Sequence, residues 1–176
     1  MIAELSSIED RLAFALGRYC GFRIGSEIRS LRWSGIDRDK MLLTVGDVKR
    51  KTSRRCPIFV EIQGLLAEAW DAIPEGSSDW VFPSFRESTD QAFASRVKNV
   101  MRRLSIDPWP DLFLNLRRTR ATEVVEDFGA KAESEWIGHG VDISLRHYQI
   151  VSQEKLDRAV GRVTTTETKV DEREKV

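Results

Sequence analysis

The chain has 176 residues, 41% hydrophobic and 32% charged, with 28 basic side chains balancing 28 acidic ones. That length suits one domain with a sizeable core, and no apolar run approaches the roughly 20 residues that span a bilayer. Met1-Ile2-Ala3-Glu4 lacks the basic start and apolar stretch of a signal peptide, and Cys20 and Cys56 form no CxxC pattern, so a reduced cytoplasmic setting without disulfide, metal site or cofactor is expected.

Ser6 or Ser7 can cap a first helix running to about Tyr19, with Ile8, Leu12 and Ala15 on one face and Gly17 and Gly21 at its end. Ile24, Ile28 and Leu31 line a second, short helix. Residues 41–45 and 55–59 read as strands around a basic hairpin tip, and Pro57 marks an edge strand or a strand end. A helix over Glu61 to Ala72 stops at Pro74 and Gly76. Trp80 to Pro83 is a short buried connection, and Asp90 to Leu104 is a helix with a basic face. Pro108-Trp109-Pro110 breaks the chain before the helix that carries Arg117. Three shorter helices follow near 131–137, 142–149 and 152–162, then a polar end from Thr164 to Val176. The five tryptophans read as core or rim packing.

Charge is unevenly spread. Residues 56–95 hold seven acidic side chains and one basic, residues 96–120 hold seven basic and two acidic, and Lys49 to Arg55 holds five basic in seven. Such polarity suits one nucleic-acid face and one solvent face, although ordinary solvated clustering gives the same pattern.

At about 100° per residue, Leu114, Ala121, Val124, Val125 and Phe128 gather on one face of the helix over 114–128. Arg117 falls inside that stripe and Arg118 at its margin. An arginine aimed at a core must be compensated. Either a carboxylate such as Glu27 pairs with it, or its planar fork binds a phosphate. Arg23 follows Gly21 and can project from a turn. Downstream, His139 stands in Ile137-Gly138-His139-Gly140, and Tyr148 follows nine positions later in Leu145-Arg146-His147-Tyr148. An arginine, a histidine and a tyrosine in that order suit a phenol oxygen attacking a phosphodiester held by cationic donors.

These motifs, with Gly21-Phe22-Arg23-Ile24-Gly25-Ser26-Glu27 and Asn115-Leu116-Arg117-Arg118-Thr119, resemble the catalytic domain of the tyrosine recombinases, the phage integrase family, from about Leu12 to Val160. The resemblance implies an α+β, mainly helical fold with a small antiparallel sheet near residues 35–60. It implies a catalytic domain over 1–163 and a polar tail over 164–176, with the family's N-terminal core-binding domain absent from this chain. It further implies that Arg23 and Arg117 hold the scissile phosphate, that Glu27 supports Arg23, that His139 bonds the phosphate or its nucleophile, and that Tyr148 is the nucleophile. Lys49 best matches the hairpin lysine that protonates the leaving oxygen, with Lys51 a competitor. Double-stranded DNA is the implied partner, gripped by Arg50, Lys51, Arg54, Arg55, Arg96, Lys98, Arg102, Arg118 and Arg120 within a homo-tetramer, with no membrane contact. Neither ATP nor metal is implied. One departure stands out: the family usually places a histidine three residues before the second arginine, where this chain has Leu114. That leaves a working recombinase and a catalytically impaired DNA-binding relative as the leading expectations, with a type IB topoisomerase and a structural or protein-binding helical domain also open.

Overall fold

Ser7 begins the first long helix. Its hydroxyl accepts the backbone N–H of Asp10 (3.0 Å), capping helix α1 over Ile8–Tyr19, and Glu9 and Asp10 favour the positive end of that helix. The structure, a computed structural model, describes residues 1–46 and 53–138. Leu12 through Gly17 are all buried, so α1 is wrapped by its neighbours rather than laid on them. Helices α2 (Val60–Asp71) and α5 (Leu112–Phe128) pack against it.

After α1 a π-helical turn over Ile24–Ile28 replaces the expected short α-helix, with the Ile28 N–H reaching back to the Arg23 carbonyl (3.2 Å). A three-stranded antiparallel sheet follows, ordered β1 (Ile36–Asp37), β2 (Leu42–Val45), β3 (Arg54–Pro57). Leu43 pairs with Cys56 and Val45 with Arg54. Pro57 closes β3, which is an edge strand, so its missing N–H costs the ladder nothing. Cys20 and Cys56 are both buried, free thiols.

Helices α3 (Pro83–Glu87), α4 (Asp90–Arg103) and α6 (Ala130–Trp136) complete the described chain. Pro83, where the sequence ends a short connection from Trp80, is the first residue of α3, a position at which a missing N–H is tolerated. One core joins α1, the sheet, α2, α3, α4 and the first half of α5. A small second core of Ala121, Val124 and Ile137 sits under α6.

The buried face of α5 differs from expectation. Leu112, Leu116, Arg117, Arg120, Ala121 and Val124 are inside, whereas Leu114 and Phe128 are exposed. The helix serves both cores in turn, and its first turns bury Leu112 and Leu116 toward the main one, which rotates Leu114 outward. Phe128 instead rests against Trp136, with ring centroids 5.2 Å apart. The tryptophans sit at rims: Trp33 meets Trp70 edge-on, and Trp80 lies under the guanidinium groups of Arg32 and Arg86. Among the described residues no helix is long and apolar enough to cross a membrane. The helices expected near 142–149 and 152–162 and the polar end lie outside the described residues.

Candidate active site

Gly21 ends α1 with a left-handed backbone (φ 62°), and a methyl group there would lie 3.1 Å from the Ile137 side chain. Only glycine accepts both conditions cheaply. The reversal delivers Arg23 to the start of the π-helical turn, and the turn sets Glu27 one winding later. Glu27 bends back to accept the Arg23 backbone N–H (2.8 Å) and Arg23 Nη1 (3.0 Å). Gly25 between them passes so close to α4 that a Cβ would meet Asp90 at 2.4 Å.

Two more arginines reach the same carboxylate from distant parts of the chain. Arg54 on β3 donates from Nη2 (2.9 Å) and Nε (3.2 Å). Arg117 on α5 brings Nη1 to 3.5 Å and also donates to the carbonyls of Gly21 and Ile137. The Trp136 carbonyl accepts from Arg54 Nη1. The last carbonyls of α6, which have no intrahelical donor, are thus satisfied by guanidinium groups. These contacts separate the three arginines by exposure. The Arg117 and Arg54 side chains are 5% and 10% exposed, while that of Arg23 is 51% exposed. Arg23 Nε and Nη2 have no hydrogen-bond partner among the described residues.

Electrostatics follow from that crowding. Burial pushes the Glu27 carboxyl up, but the Arg54 hydrogen bond and charge, the Arg23 N–H and the Arg117 charge outweigh it, so Glu27 ends below its ordinary value. Burial pushes Arg117 down to about 10, against the pull of Glu27 and with the push of Arg23 and Arg54. It stays cationic at neutral pH. Three guanidinium groups thus face Glu27, and Arg117 also feels the charge of the buried Glu133. Among the described residues no cluster of His, Cys, Asp or Glu could hold a metal ion.

Arg23, Glu27 and Arg117 therefore lie together. Lys49, Arg50, Lys51, His139 and Tyr148 lie outside the described residues. The remaining arginines sort by partner. Arg55, Arg102 and Arg118 are exposed, and Lys98 is half-buried. Arg96 is held by Asp10 through two bonds of 2.7 Å. Arg120, expected at the surface, is instead buried beneath Phe59, with Glu123 at 3.1 Å and Glu61 at 3.8 Å. Arg54 also turns inward. Strand alternation explains it: Cys56 is core, so Arg54 two residues earlier shares its face and Arg55 takes the other. Leu114 is 46% exposed, three residues from Arg117 on the same helix.

The fold is that of XerA recombinase, at 19% identity and a TM-score of 0.66 over 89% of this chain and 58% of that one. XerH site-specific recombinase in its pre-cleavage complex with difH substrate gives 17% identity and a TM-score of 0.67, covering 90% of this chain and 48% of that chain. The Tn1549 transposon integrase in complex with a circular intermediate DNA gives 16% and 0.64, over 88% of this chain and 58% of that one. The chain spans about half the length of these proteins, and the likeness is one of fold. No curated protein matches the sequence. The model of the phage integrase family matches residues 1–155, and with the mainly helical fold, the small antiparallel sheet and the paired arginine motifs it shows that this chain belongs to that family, the tyrosine recombinases.

Proposed function

We propose that this chain is the catalytic domain of a site-specific DNA recombinase that cleaves and rejoins strands through a 3′-phosphotyrosine. The observation that carries the reading is the meeting of Arg23 and Arg117, 94 positions apart in sequence, on one carboxylate with cationic charge in excess. In this reading the Tyr148 phenol oxygen bonds to phosphorus as the bond from phosphorus to the 5′ oxygen breaks. The phenol proton leaves to His139 or solvent, and Lys49 supplies a proton to the leaving 5′ oxygen. Arg23 and Arg117 neutralise the non-bridging oxygens, where preorganised donors lower the barrier most. Storing the linkage on tyrosine divides one exchange into two transfers. A 5′ hydroxyl from a partner strand reverses the step, so the energy of the broken bond is conserved without ATP or metal. Double-stranded DNA is the partner, and a tetramer of this chain on DNA is the assembly in which exchange takes place.

A second reading, a DNA-binding relative with impaired chemistry, is favoured by Leu114. Its side chain can neither take nor give a proton at the position where the family usually has histidine. One experiment separates the two. The protein is incubated with a library of nicked duplexes randomised around the nick, so that a released short strand cannot rejoin, and covalent adducts are isolated on a denaturing gel. The recombinase reading expects adducts that vanish in Tyr148→Phe. DNA retention without any adduct supports the impaired relative, and adducts that persist in Tyr148→Phe exclude Tyr148 as nucleophile.

A further inference from the structure

Resting on the recombinase reading, we propose that Arg54 is a positioning residue for the scissile phosphate, which it never touches. It fixes Glu27 and the end of α6 so that Arg23 and Arg117 meet the phosphate in one geometry.

Every nitrogen of its guanidinium group has an acceptor inside the protein. Nη2 and Nε bond the two oxygens of Glu27, and Nη1 bonds the Trp136 carbonyl. The group lies over the Phe22 ring, 5.0 Å from its centroid, beside the residue that leads into Arg23. A Cβ at Gly138, whose φ is 80°, would come 2.8 Å from Arg54 Cδ, so glycine lets the backbone lie against the Arg54 side chain. Arg54 therefore braces three segments at once: the end of α1, the Arg23–Glu27 turn and residues 136–138.

Arg117 braces the same three, through Gly21, Glu27 and Ile137. The two arginines form neighbouring struts on adjacent carbonyls. Glu27 Oε1 is shared between Arg23 and Arg54, and Oε2 between Arg54, the Arg23 N–H and Arg117. Without Arg54 the carboxylate is left to Arg23 and Arg117 alone. Arg23 then folds inward to satisfy it, and its remaining donors are withdrawn from the phosphate. A lysine cannot replace the fork, because one ammonium cannot span both carboxylate oxygens and a carbonyl.

The test uses a duplex recovered from the library, made with either a phosphodiester or a neutral methylphosphonate at the scissile linkage, under single-turnover conditions. Arg54→Gln is expected to slow adduct formation about 10²-fold on the phosphodiester, the scale of a misplaced reacting geometry. The protein concentration giving half-maximal rate should stay within about threefold, since no contact with DNA is removed. On the methylphosphonate, which needs one negative charge fewer neutralised, the deficit should shrink to under about tenfold. Arg54→Gln combined with Glu27→Gln should be no more than about threefold slower than Glu27→Gln alone, because both act through one element. Arg54→Lys keeps the buried charge and serves where the glutamine variant folds poorly; it should show the same dependence on linkage. Equal deficits on the two linkages, additive losses in the double variant, or full activity of either Arg54 variant would overturn the assignment. A wild-type chain that forms no adduct with any library member sinks the recombinase reading as well, whereas an active wild type indifferent to Arg54 sinks this inference alone.

Discussion

At the scale of single residues, Leu114 and Arg54 teach opposite lessons. Leu114 occupies an exposed place beside Arg117, so a polar replacement there disturbs little packing. Leu114→His is expected to change stability by less than about 0.5 kcal/mol. It should raise the rate of covalent adduct formation by about 10²-fold if phenol deprotonation limits attack. Thermal unfolding and single-turnover gels check the two halves of that statement. Arg54 reads in the sequence as one of several hairpin cations, whereas its side chain is 10% exposed and bonded to Glu27. Five basic residues in seven around the hairpin suggest a uniform DNA grip, yet strand parity with Cys56 already distinguishes Arg54 from Arg55. The inward direction of Arg117 could be read from helical periodicity, because an arginine inside an apolar stripe has few alternatives. Which acceptors it finds could not be read, since Gly21 and Ile137 offer backbone oxygens that carry no sequence signal.

Elements were read with uneven success, for reasons of packing. The start of α1 was visible because Ser7 and the acidic first turn act locally. The buried face of α5 was not, because a helix shared between two cores obeys neither one's periodicity along its whole length. The joint between α1 and α4 was also hidden. Asp10 is 3% exposed in the first turn of α1, and Arg96 binds both of its oxygens at 2.7 Å. Removing the cation strands a buried carboxylate, a loss of several kcal/mol for a fully buried pair. The Arg96 side chain is 39% exposed, so solvent screening reduces the expected cost of Arg96→Met to about 2 kcal/mol. Urea unfolding measures it. Adding Asp10→Asn should recover part of the loss, because the stranded charge is then gone.

For the whole molecule, the Glu27 cluster ties stability to pH. Its folded carboxyl lies below the ordinary 4.5, so the folded state holds the ionised form more strongly than the unfolded chain does. The resulting stabilisation is complete above that ordinary value and is lost as pH falls through the depressed one. Glu27→Gln leaves three arginines facing a neutral amide and should cost about 3 kcal/mol near neutrality. In acid the wild-type carboxyl is itself protonated, so the gap in urea midpoint between the two proteins should narrow steadily as pH falls below the ordinary carboxyl value. A gap that stays constant from pH 7 downward would mean that Glu27 acts by shape rather than charge.

The struts from Arg54 and Arg117 end on main-chain oxygens of consecutive residues at the close of α6. The spacing between Gly129 and those two oxygens is therefore a ruler. Adding or deleting one residue in that stretch turns each carbonyl by about 100° around the helix axis. Length there should be held far more tightly than composition.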